Sequence, residues 1–290
     1  MLVTLNEVLP QARHHHYAVG AFDCTEDVMI RTILDTAEQE QAPIILMALE
    51  HDLKGRGIHY ISGMVHAVAD AYQIPIVLHL DHAEHLDIIR KAIDHGFTSV
   101  MFDGSQLPFR ENIERSREVV EIAHAHGVAV EAELGFVAGK DIHGTDYPGA
   151  GQSLLTEPSE VVEFVAQTNV DALAVSIGTA HGVYVAAPTL DIERLQAIEA
   201  VSSVPLVMHG GSGTPEDQVR NAIRNGITKL NVYADSRVAM LQGLKRSAET
   251  QTRKDPLPDV LFRPIRESLA QLVAERIRMF GANNKAVSNA

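Results

Sequence analysis

Cysteine is nearly absent from this chain: Cys24 is the only one in 290 residues. No internal disulfide can form, and a reducing, cytoplasmic setting is the expectation. A long apolar run is also missing. The opening MLVTLNEVLPQARHHH has none of signal-peptide length, and no stretch approaches the roughly 20 apolar residues of a membrane span. Positive charge is scarce: 24 Lys and Arg against 38 Asp and Glu leave a net charge of −14. Such a chain repels nucleic acid and anionic lipid, so neither is expected as a partner. An anionic small substrate would need a local positive device, such as a metal, an arginine or helix N-termini. No GxGxxG follows the first apolar run and no low-complexity linker divides the chain. One domain over residues 1–290 is therefore expected.

What is present is alternation. Eight apolar runs read as strands: 18–22, 43–49, 74–80, 99–103, 128–134, 172–178, 205–211 and 227–232. Most are continuously apolar, as expected for strands covered on both faces. Amphipathic stretches fill the gaps. In DVMIRTILDTAEQEQ, Val28, Ile30, Ile33, Leu34 and Ala37 form one stripe. TEPSEVVEFVAQT opens with Thr156, Pro158 and Glu160, which is helix-start chemistry. TPEDQVRNAIRNG starts at Thr214, with Pro215 in its first turn, and closes on Gly226. Eight strands alternating with helices predict an α/β fold, a (β/α)8 TIM barrel, with additional C-terminal helices over 234–250 and 264–280 joined by the Pro-rich connector RKDPLPDVLFRP. An open doubly wound sheet is the alternative. The Gly-rich segment 135–152 reads as a mobile loop.

In such barrels chemistry gathers where strands end. Asp81 and His82 end the third strand, and Asp103 the fourth; Glu131 and Glu133 lie on the fifth. His181 follows the sixth strand, His209 ends the seventh and Asn231 the eighth. Any one of these histidines alone reads as a satisfied polar residue. Three from separate strand ends suit a divalent metal, zinc above all, with a fourth position open for a substrate oxygen. Asp103 and Glu133 could hold a second divalent cation or hydrogen-bond the ligand histidines. His79, inside its strand, reads as structural; His85 and His143 are weaker candidates, and His14, His15 and His16 read as surface residues. The turn HGGSG (209–213) precedes a helix start, and with Gly182 it forms a candidate phosphate cradle.

The ordered set LHLDH, MFDGS, VEAELG, GTAHG, HGGSG and TKLN spans nearly the whole chain. It resembles the class II, metal-dependent aldolases that act on fructose and tagatose bisphosphates. The resemblance implies zinc on His82, His181 and His209, with Asp81 as acid/base on the hydroxyl at the bond that breaks. It implies that Asn231 and the backbone of Gly182, Gly210, Gly211 and Ser212 hold a dihydroxyacetone-phosphate half. It also implies a homodimer or homotetramer and a monovalent cation, Na⁺ or K⁺, near the phosphate loops. The implied reaction is a reversible retro-aldol cleavage of a ketose or ketose phosphate. Two alternatives are a metal-dependent epimerase or isomerase on the same barrel and a non-catalytic aldolase-like subunit.

The chain also departs from the family pattern. Asp23 stands at a substrate-binding position usually held by Asn, and Leu49–Glu50 where a Ser usually ends strand two. The loop acid usually follows GG; here Lys140 and Asp141 stand nearby, and Asp141 is the expected replacement. Tyr233 and Ala234 follow Asn231 where a short Asp or Ala and a Thr are usual, and Val185 replaces a basic residue that some members carry. Arg263 matches an Arg used at the far substrate end. Losing the Thr hydroxyl removes a donor worth roughly 1.5–3 kcal/mol against a charged acceptor. Together these changes fit an altered ketose with one phosphate or none, or else drift with the activity retained.

Overall fold

The computed structural model describes residues 1–137, 155–180 and 188–286. Eight parallel strands close into a barrel in sequence order. They are β1 (Val19–Asp23), β2 (Ile44–Leu49), β3 (Ile76–Ala83), β4 (Ser99–Phe102), β5 (Ala129–Leu134), β6 (Ala172–Val175), β7 (Leu206–Met208) and β8 (Ile227–Val232). Nearly every strand residue is buried, which explains the continuous apolar runs: one face packs into the barrel and the other under the helices. The TIM-barrel reading therefore holds. Strands β6 and β7 are shorter than their apolar runs, because the backbone turns into loops after Val175 and Met208.

Helices cover the outside. They are α2 (Asp27–Gln39), α3 (Gly57–Val68), α4 (Leu86–Asp94), α5 (Phe109–His124), α6 (Pro158–Thr168), α7 (Ile192–Val201) and α8 (Glu216–Arg224). The stripe expected on α2 is buried. Pro158 opens α6, where its missing N–H costs nothing. Pro215 sits one place earlier than expected, just before α8.

Ahead of the barrel, α1 (Leu5–His15) buries Leu5, Val8, Leu9 and Ala12. It touches β1, β5 and β8. Strands β1 and β5 lie on opposite sides of an eight-stranded barrel, so α1 lies across the N-terminal end and plugs it. That leaves the C-terminal end open for chemistry. His14, His15 and His16 are exposed at the end of α1, as expected.

Two helices close the chain, α9 (Ala234–Thr250) and α10 (Pro258–Met279). The expected start at residue 264 is corrected: α10 begins six residues earlier and carries Pro264 inside it. Proline removes one internal hydrogen bond, but packing against α9 holds the segment helical. A Cβ on Gly243 would come within 2.5 Å of Ile265 Cα, so only glycine permits this crossing. No helix among the described residues is long and apolar enough to cross a membrane.

Candidate functional site

The site begins with an irregularity in β3. Leu80 pairs with Val100, and the next pair is Ala83 with Phe102. Three residues advance on β3 while two advance on β4, so β3 carries one extra residue, a β-bulge. Within it His82 has φ of 46°, in the left-handed region that side chains rarely adopt. Consecutive strand residues normally face opposite ways. Here the bulge turns His82 back, so Asp81 and His82 both address the barrel mouth. The strand runs through both residues to Ala83, not ending at Leu80 as the apolar run implied.

His82 meets His209, one residue past β7, across the mouth. His82 Nε2 and His209 Nδ1 are 2.7 Å apart. Each ring is anchored from behind by a carboxylate. Asp103 Oδ2 lies 2.8 Å from His82 Nδ1, and Glu131 Oε1 lies 2.8 Å from His209 Nε2. Asp103 is itself fixed, its Oδ1 accepting from the Ser105 N–H and hydroxyl. With both outer nitrogens donating to carboxylates, the two inner nitrogens direct lone pairs at one point, and a proton or a cation must lie between them. Burial disfavours a charge on His82, but the Asp81 carboxylate and the Asp103 hydrogen bond outweigh it and push His82 up to about 10. Burial and the His82 charge hold His209 below its ordinary value.

Donor atoms of Asp81, His82 and His209 lie within 4.8 Å of one another, as do those of His82, Asp103 and Glu133. Imidazoles braced by carboxylates fit a borderline divalent ion such as zinc. His181, the third expected ligand, lies outside the described residues, as do Gly182, Asp141 and His143.

Asp81 is buried and accepts two hydrogen bonds from the Asn231 amide, both at 3.0 Å. Burial opposes its charge, but the His82 imidazolium, a His79 hydrogen bond and Lys229 hold its carboxyl well below the usual range. It is an ionised base at the mouth. Asn231 Oδ1 and Glu133 Oε2 are buried without a hydrogen-bond partner among the described residues. Glu133 is pushed well above the carboxylate range by burial and by the Asp103 charge.

Beneath this layer lies a buried cation that the apolar run of β8 does not announce. Lys229 is fully buried on β8, its ammonium 2.8 Å from Glu131 Oε2 and 3.9 Å from Asp81 Oδ1. Burial works against an ionised Glu131, but Lys229 and His209 hold its carboxyl down, at about 2. The signal was its parity: Lys229 is two residues before Asn231, so both face inward. His79, read as structural, is buried in the same layer with its Nδ1 2.8 Å from Ser99 Oγ.

The glycine-rich turn follows His209. Gly210 has φ of 67°, and a Cβ there would stand 2.4 Å from the Ala180 carbonyl oxygen. Only glycine lets the loop after β7 lie against the loop after β6. Gly211 and Ser212 come next, before the N-terminus of α8, whose unbonded N–H groups favour an anion. Asp23 ends β1 at the mouth. Arg263 lies elsewhere: it is exposed on α10 and paired with Asp259 at 3.1 Å. His85 is exposed and holds Glu50 at 2.8 Å.

A family model described as fructose-bisphosphate aldolase class-II matches residues 3–285. A 6-phospho-5-dehydro-2-deoxy-D-gluconate aldolase of Bacillus velezensis is 37% identical over 292 residues, covering 98% of this chain and 97% of its own. A fructose-bisphosphate aldolase of Geobacillus stearothermophilus is 36% identical over 291 residues, covering 98% and 99%. The crystal structure of the YdjI aldolase from Escherichia coli K12 superposes with a TM-score of 0.87 at 31% identity, covering 99% and 100%.

Proposed function

Because the chain belongs to the class II fructose-bisphosphate aldolase family, a family of metal-dependent lyases, we propose that it cleaves a ketose phosphate reversibly into dihydroxyacetone phosphate and an aldehyde, with zinc as its metal. The observation that carries the reading is the pair of braced histidines beside a buried Asp81 whose carboxylate is held by the Asn231 amide. His82 and His209 are the assigned ligands, and His181 completes the set. A divalent ion held there supplies Lewis acidity toward a ketone oxygen, of order several kcal/mol. Asp103 and Glu131 keep the two rings turned toward that point. Glu133, beside His82, either donates a hydrogen bond or joins a second cation position with Asp103.

Asp81 takes the proton of the hydroxyl on the carbon released as aldehyde while the carbon–carbon bond breaks, and returns it in condensation. The Asn231 amide holds the carboxylate in place, and its Oδ1 is left to accept from substrate. The backbone of Gly210, Gly211 and Ser212, with Gly182, cradles the phosphate against the α8 N-terminus, with Na⁺ or K⁺ alongside. Asp141 exchanges the proton on the enediolate carbon. Arg263 reaches substrate only across a subunit boundary in a homodimer or homotetramer. The lone, buried Cys24 accords with a cytoplasmic place of work.

Chelation should abolish cleavage of a ketose phosphate, and zinc should restore it. Products decide between readings. Release of two smaller carbonyl compounds supports the aldolase; conserved carbon number in the product would assign an epimerase instead.

A further inference from the structure

The mouth is polarised. The loop after β7 offers glycine backbone and a helix N-terminus, which suit an anion. The corner where β1 and β2 end offers carboxylates. We propose that this corner receives the aldehyde half of the substrate and selects one bearing hydroxyls and no phosphate, with Asp23 and Asp52 as the specificity-determining residues. This rests on the aldolase reading above.

Asp23 is the last residue of β1. Two residues earlier, Ala21 stands in register with Asn231, whose amide bonds Asp81 inside the mouth. Asp23 shares that inward parity. It is 5% exposed, and its Oδ1 has no hydrogen-bond partner among the described residues. A buried carboxylate oxygen without a donor is costly. A substrate hydroxyl is the donor that completes it.

Asp52 lies in the short helical turn after β2, where its Oδ2 accepts the Leu49 N–H at 2.9 Å. Burial, and then the Asp52 charge, push Asp23 up to about 7, against the pull of Arg237. A hydroxyl suits Asp23 in either protonation state, since it both donates and accepts. A phosphate dianion suits neither, because Asp52 and Asp81 are also acidic. The basic groups nearby do not reverse this. His51 Nε2 lies 3.0 Å from Asp52 Oδ1, and the exposed Arg237 stands 5.2 Å from the centre of the Tyr233 ring; the one permanent positive charge among them, that of Arg237, faces three carboxyl groups. Arg263 is engaged by Asp259. Asp52 also lines a cavity of about 490 Å³ whose other charged residues are Glu26 and Asp27.

The test compares sugars that differ only in the distal phosphate: fructose 1-phosphate against fructose 1,6-bisphosphate, and the tagatose pair likewise. Titration calorimetry on zinc-loaded Asp81→Asn enzyme, whose turnover is slowed roughly 10²–10⁴-fold, reads binding and leaves Asp23 and Asp52 as the carboxyls that discriminate. The monophosphate of at least one pair is expected to bind at least tenfold more tightly. Asp23→Asn combined with Asp52→Asn should move that ratio at least tenfold toward the bisphosphate. Equal or tighter binding of both bisphosphates, a ratio unmoved by the double substitution, or no binding of any of the four sugars would overturn the proposal. Wild-type turnover is scored separately. Failure to cleave any of them, with the binding order intact, sinks the aldolase reading and leaves the selectivity standing.

Discussion

His82 and His209, 127 residues apart in sequence, bring ring nitrogens to 2.7 Å with their planes nearly perpendicular. Each ring is turned by its own carboxylate, Asp103 or Glu131. The arrangement fits a divalent cation at the mouth, and the following outcomes depend on it.

Replacing His209 by Ala should remove bound zinc and lower kcat/KM by at least a thousandfold, while the far-ultraviolet spectrum is unchanged. Metal content by mass spectrometry and turnover of the same sample check this. Full activity in metal-free variant protein would end the ligand assignment.

Asp81→Asn should separate the proton step from metal binding. Removing a general acid–base group typically costs 10²–10⁴ in rate. We expect a kcat loss of about that size, with zinc content at the wild-type level and KM changed less than tenfold. Loss of the metal together with the rate would instead make Asp81 a ligand.

Lys229→Met leaves Glu131 ionised and buried without its cation. Breaking a buried pair in this way costs about 3–5 kcal/mol. Adding Glu131→Gln should recover part of that loss, because the second charge is then gone. Urea unfolding of the two variants tests it; a double variant no more stable than the single would place the role of Lys229 elsewhere.

Asp23 predicts a pH dependence. Its folded value, about 7, lies above its ordinary 3.8. The folded state thus holds an extra proton between about pH 4 and 7, and stability falls as pH rises through that window. Asp23→Asn removes the penalty. Chemical melts should show the variant more stable than wild type at pH 8, by up to about 4 kcal/mol, with the difference shrinking toward zero near pH 4. A constant difference across that range contradicts the assignment.

Much of this was readable from residue order. The apolar runs located all eight strands, because burial on both faces leaves an unbroken signature. Asp103, His209 and Asn231 stand out as candidates because each lies within one residue of a strand end. The bulge at His82 was not legible: one inserted residue leaves no compositional trace, and its effect appears only in pairing with β4. Lys229 was passed over because a lysine beside a strand's core usually reaches outward, and only the carboxylates of β3 and β5 hold it in. The start of α10 was misplaced because Pro264 argues against a helix locally, and tertiary packing with α9 overrides it.

The extra residue in β3 has a mechanical result. Asp81 and His82 are joined by one peptide unit, so any breathing of the barrel carries the two together. His209 rides on the far wall and does not share that motion. The soft dimension of the centre is therefore the gap between the walls, while the base and its neighbouring ring share one stretch of backbone and are held by Asn231 and Asp103.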